Sequence, residues 1–77
     1  MDYIVYAKYK GCKTFVAFDL ENGCKAGNII CASTFRKTEV EQAKKGLQGL
    51  ADRNKHVDLQ IQLRDCKGNI AWKSYQM

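Results

Sequence analysis

The stretch Thr38–Trp72, TEVEQAKKGLQGLADRNKHVDLQIQLRDCKGNIAW, decides the fold. It opens on Thr38-Glu39-Val40-Glu41, the pattern of a capping box. In that motif the Thr38 hydroxyl accepts from the Glu41 amide and the Glu41 carboxylate reaches back to the Thr38 amide. Both glutamates suit the positive end of a helix dipole. Val40, Ala43, Leu47, Leu50 and Ala51 then recur at the spacing of one buried helical stripe, and Asn54 is a fitting stop. Gly46 and Gly49 each cost about 1 kcal/mol relative to alanine inside a helix. Beyond the helix, Val57, Leu59, Ile61 and Leu63 alternate with Asp58, Gln60, Gln62 and Arg64. That alternation predicts a half-buried strand with its core face on the apolar set.

Asp65-Cys66-Lys67-Gly68-Asn69 is the next turn, and Ile70–Tyr75 the last strand. Two signals compete for the register of this hairpin. Asp65 and Gly68 at the first and fourth turn positions favour a type I turn with a glycine bulge. That register sets Arg64 opposite Ile70 and Gln62 opposite Trp72, outside the core. A two-residue Lys67-Gly68 turn instead pairs Leu63 with Trp72 and buries both. Core packing favours the second outcome for the single tryptophan of so short a chain.

Working outward to the N-terminal half, Asp2–Tyr9 and Lys13–Leu20 read as two strands joined at Lys10-Gly11. If those two residues are the whole turn, Tyr9 faces Cys12, Val5 faces Val16 and Tyr3 faces Phe18. On the other face Tyr6 meets Phe15, Ile4 meets Ala17, and Lys8 lies opposite Lys13. Glu21–Gly27, with Asn22-Gly23, is a turn or short loop, and the apolar Asn28–Ser33 fits a third strand. The expected architecture is α+β, in the order β-β-β-α-β-β. It is a largely antiparallel sheet with one helix packed on one face, spanning residues 1–77 as a single small domain.

Composition narrows the function classes. Apolar residues make up 45% of the 77, without proline or low-complexity tracts, which excludes a disordered chain. Neither a signal peptide nor a membrane span is expected from the pattern, so the expected location is the cytoplasm, with no membrane partner. Thirteen basic and eight acidic residues give a net charge of +5, which fits a polyanion such as nucleic acid as well as an ordinary solvated surface. The cysteines Cys12, Cys24, Cys31 and Cys66 show no C-x-x-C pair, and His56 is the one histidine. Free thiols are the default in a reducing compartment, and no metal or cofactor is expected. No G-x-S-x-G, H-E-x-x-H or P-loop is present. A thiol enzyme would need one of the turn cysteines (Cys12, Cys24 or Cys66) with His56 as base, and the bland reading of those residues is preferred. The chain is expected not to be an enzyme.

The sharper constellation is the second face of the first hairpin. Tyr6, Lys8, Lys13 and Phe15 are expected together there, joined by Arg64 and, in one of the two registers, by Lys73. Rings interleaved with cations suit single-stranded nucleic acid, because bases stack on the rings and lysines neutralise phosphates. The same two-sided apolar hairpin equally suits a protein partner or a homodimer. Three strands followed by a helix that opens with Phe35-x-x-Thr38-x-x-Glu41-x-Ala43 resemble the small DNA-binding domains near the N-terminus of some tyrosine recombinases. The resemblance covers about half of the chain and implies groove binding through the sheet; the hairpin after the helix is not part of that pattern. Two functional expectations follow. One is a small protein-interaction module, homodimer or accessory or inhibitor protein of mobile-element type. The other is a single-stranded nucleic-acid-binding module.

Overall fold

In the computed structural model, which describes residues 2–20, 24–25 and 33–75, the central strand is β1 (Asp2–Lys8). One edge of β1 runs antiparallel against β5 (Gln60–Arg64), from Ile4 opposite Arg64 to Lys8 opposite Gln60. Its other edge is divided. Tyr6 and Ala7 pair with Ala17 and Val16 of β2 (Val16–Asp19), while Asp2, Tyr3 and Ile4 pair with Arg36, Phe35 and Thr34 of β4 (Thr34–Arg36). Ser33 fills the fork between them. Its carbonyl accepts from the Val5 amide at 3.0 Å, its own amide donates to the Phe18 carbonyl at 2.9 Å, and its hydroxyl accepts from the Leu20 amide at 2.8 Å. These bonds satisfy the backbone groups that the divergence of β2 from β1 would otherwise strand.

Two short strands complete the sheet. β3 (Cys24–Lys25) pairs with β2, and β6 (Ile70–Lys73) pairs with β5, giving the order β3-β2-β1-β5-β6 with β4 beside β1, all antiparallel. Helix α1 (Val40–Arg53) lies on one face. Its Val40, Leu47 and Ala51 join Val5, Ala7, Phe18, Leu59, Ile61 and Leu63 in the buried core, with Leu50, Val57 and Trp72 packed against it. The α+β architecture, with its antiparallel sheet and single covering helix, is the one the alternation and the helical stripe predict. No helix among the described residues is long and apolar enough to cross a membrane.

The local departures are instructive. The expected third strand, 28–33, lies outside the described residues except for Ser33. Cys24–Lys25, read as part of a turn, is strand β3, and Thr34–Arg36, given no element from the sequence, is strand β4. The helix does not begin on a Thr38 cap. A 3₁₀ turn at Lys37–Glu39 precedes it, and the Glu39 carboxylate accepts from the Arg36 amide at 3.0 Å. Glu39 stands three residues after Arg36, as Glu41 does after Thr38, so the same reach-back is available two residues earlier, at the end of β4. Glu41 instead pairs with Lys44 at 3.0 Å. At the other end, Asn54 stops the helix as expected, its side chain donating to the Leu50 carbonyl at 2.8 Å.

The final hairpin satisfies both of its competing signals. Asp65 and Gly68 form the turn, with the Gly68 amide donating to the Asp65 carbonyl at 3.0 Å and Gly68 at φ +89°. Arg64 accordingly stands opposite Ile70. A bulge then spends Ala71, so that Leu63 meets Trp72 and Gln62 meets Lys73. One extra residue reverses which face the next side chain takes. Trp72 therefore reaches the core side and Lys73 the opposite one.

Candidate functional site

The site is built by parity. On β1 and β5, Val5, Ala7, Ile61 and Leu63 point to the helix, so Tyr6, Lys8, Gln60, Gln62 and Arg64 point away from it. Tyr6 lies between Ala17 and Gln62, and Gln62 lies between Tyr6 and Lys73, forming one row across four strands. A neighbouring row sets Arg64 between Ile4 and Ile70, with Thr34 beyond Ile4. Among the described residues, the helix covers the other face and this one carries no covering element.

The first hairpin reaches this arrangement by an unexpected register. The turn at Tyr9–Cys12 forms as the sequence suggests, with the Cys12 amide donating to the Tyr9 carbonyl at 3.0 Å and Gly11 at φ +89°. The strands beyond it are offset by two residues, because Tyr6 faces Ala17 rather than Phe15. A two-residue offset preserves the side-chain faces. Continued one step, the observed register brings Phe15 across from Lys8.

Side-chain geometry then gathers four of the six residues picked from the sequence. The Arg64 guanidinium carbon lies 4.3 Å from the Tyr6 ring centroid and 5.7 Å from that of Phe15. The Lys8 ammonium lies 5.2 Å from the Phe15 centroid. Cations over ring faces are attracted by the ring quadrupole, by about 0.5–1 kcal/mol each at exposed sites. Arg64 is held again by a 2.9 Å hydrogen bond from its Nε to Gln62 Oε1. Lys73 is exposed on the same face, in the row of Gln62. Lys13 lies outside the stacked group. It is exposed in the loop 9–15 and lines a groove there with Tyr9, Cys12 and Val16.

The sequence pattern does not mark Gln62 as a site residue, although its side chain holds Arg64 in the cluster. It is the buried polar side chain among the described residues, 7% exposed at the middle of the face away from the helix. A glutamine flanked by Gln60 and Arg64 on an alternating strand marks the polar face. It does not announce that neighbouring side chains will close over it.

Elsewhere the chemistry is sparse. Cys12 and Cys66 are free, exposed thiols in the two hairpin loops, and His56 is exposed in a 3₁₀ turn at Lys55–Val57. Cys31 falls outside the described residues. Among the described residues, no three His, Cys, Asp or Glu side chains converge as metal ligands would. An open groove of about 440 Å³ runs along α1, lined by Leu20, Phe35, Ala43, Leu47 and Leu50, with Glu39 and Arg53 among its other lining side chains. It gathers no cationic and aromatic cluster of the kind found on the sheet face.

Comparison of the chain with known protein families, with curated proteins and with solved structures finds no match. The likeness of the Phe35–Ala43 stretch to recombinase DNA-binding domains stays one of local pattern.

Proposed function

We propose that the protein acts in the cytoplasm by binding rather than by catalysis, and that its ligand is a single-stranded nucleic acid laid across the sheet face away from the helix. The observation that carries this reading is the Arg64 guanidinium over the Tyr6 and Phe15 rings, with the Lys8 ammonium over Phe15. Lys73 adds a further cation at the end of the row that holds Tyr6 and Gln62. Flat π surfaces take unpaired bases at about 1–3 kcal/mol each, and cations between them take the phosphates. The net charge of +5 supports the same polarity of ligand.

Self-association through this face is the weaker reading. The fully buried centre of a protein interface is depleted in charged residues, whereas Lys8 and Arg64 sit among the rings here and Lys73 is exposed on the same face. A two-fold contact would also bring each copy's cationic face against the other's.

The test is fluorescence anisotropy of a short labelled oligonucleotide of mixed sequence, measured over a salt series. Affinity should fall linearly in log–log form, by a slope of about 0.7 for each phosphate neutralised. Lys8→Glu combined with Lys73→Glu should remove about two phosphate contacts and reduce affinity at least tenfold at low salt. A wild-type protein that ignores the oligonucleotide, yet forms a dimer dispersed by Phe15→Glu, would overturn the proposal in favour of self-association.

A further inference from the structure

We infer that the stacking surface for an unpaired base is the guanidinium of Arg64 rather than a bare aromatic ring; this rests on the nucleic-acid reading and makes it specific. The rings are already occupied. Arg64 stands 4.3 Å from the Tyr6 centroid and 5.7 Å from the Phe15 centroid, and Lys8 caps Phe15 at 5.2 Å. A base can reach the Tyr6 face that Arg64 covers only by displacing the guanidinium. Arg64 is half-buried, and stacking on the solvent-facing part of its guanidinium, turned away from Tyr6, requires no such displacement. That group is planar, delocalised and weakly hydrated, and bases stack on arginine planes as they do on aromatic ones.

The plane is also held in place. The Arg64 Nε donates to Gln62 Oε1 at 2.9 Å, and Gln62 is itself 7% exposed in the central part of the sheet. This bond uses the inner N–H and leaves the terminal nitrogens for a phosphate or a base edge. Ile4 and Ile70 flank Arg64 on the same face, and Ile70 is 54% exposed. They provide apolar shoulders for the edge of a base or for its sugar. The layers run Tyr6 ring, Arg64 guanidinium, ligand base. Bases within a duplex already have both faces stacked, so the device selects single strands.

Arg64→Lys keeps the charge and removes the plane. In the anisotropy assay it should weaken single-strand binding roughly tenfold, the worth of one stacked base. The salt slope should stay unchanged, because the number of neutralised phosphates is the same. Gln62→Met, which removes the acceptor but no charge, should weaken binding in the same direction with the slope again unchanged. Amide spectra that match the wild type would confirm that both variants are folded, and both substitutions lie on the face away from the core. Single strand should be preferred over duplex of the same sequence. If Arg64→Lys binds as tightly as the wild type, Arg64 is only a point charge, and this inference fails while the nucleic-acid reading stands. Equal affinity for duplex would overturn it likewise. Failure of the wild type to bind any oligonucleotide would overturn the reading and the inference together.

Discussion

On strand β5, Ile61 and Leu63 point toward helix α1 and are 1% and 0% exposed; Gln62, between them, points the other way and is 7% exposed. Three consecutive residues are thus almost equally sealed from water by different means. Leu63 is enclosed by Val5 and Trp72 across the strands and by the helix side chains above. Gln62 lies between Tyr6 and Lys73, with Arg64 bonded to its oxygen. The first environment is dry and close-packed, so its energy resides in area removed from water. The second is polar and assembled from long side chains of the sheet itself, so it can open to a ligand without unfolding the domain. Burial alone does not identify a core position; what covers the residue does.

The largest effect should separate these environments most sharply. Leu63→Ala should cost about 2–5 kcal/mol, most or all of the roughly 3–5 kcal/mol a core of this size supplies. Urea denaturation should find the variant largely unfolded. Gln62→Met should cost about 1 kcal/mol or less, because the guanidinium it releases can turn to water. A comparable loss from the two substitutions would mean that both faces of β5 are core.

A smaller effect tests the hairpin that assigns Trp72 and Lys73 to opposite faces. Gly68 has φ +89°, a conformation that costs an L-residue roughly 1–2 kcal/mol, so Gly68→Ala should destabilise by about that much. Gly46, on the exposed side of α1, has open space where a Cβ would go. Gly46→Ala should stabilise by about 0.5–1 kcal/mol through helix propensity. Opposite signs in thermal denaturation are the expected result. A destabilising Gly46→Ala would show that something approaches that part of the helix.

The smallest effect belongs to Asp65, at the tip of the same hairpin. Hydrogen bonds from the Asn69 amide (2.9 Å), the Asn69 side chain (3.3 Å) and the Lys67 amide (2.9 Å) hold its carboxyl below the ordinary value of 3.8. Its contribution to stability is therefore present above pH 3.8 and is lost as the pH falls through the lowered folded value. Wild type and Asp65→Ala should differ in melting temperature at neutral pH and converge in strong acid. A difference that persists there would mean that the carboxylate charge does not matter.

Much of the site was legible in the sequence because parity survives errors of two. The first hairpin's register is offset by two residues from the one its turn implies, yet Tyr6, Lys8 and Phe15 keep their common face. The last hairpin is offset by one, where parity does change. There the turn chemistry holds and Trp72 faces the core side, half-buried against it rather than fully enclosed, the two signals reconciled by Ala71, whose role as the extra residue no local signal marks. Strand β4 was not legible for a different reason. Thr34-Phe35-Arg36 is too short to show alternation, and its pairing with β1 depends on β2 turning aside near Ser33. The sheltering of Gln62 depends on rotamers of Tyr6 and Arg64, which no pattern along the chain encodes.

The central claim is that the face away from the helix is the working one. An amide NMR titration with a short mixed-sequence single-stranded oligonucleotide, at low and moderate salt, tests it most directly. Salt-sensitive shifts centred on Tyr6, Lys8, Phe15, Gln62, Arg64 and Lys73, with Leu47 and Ala51 of the helix unmoved, are the predicted result. Shifts centred on the groove along α1, or none at all, would contradict it.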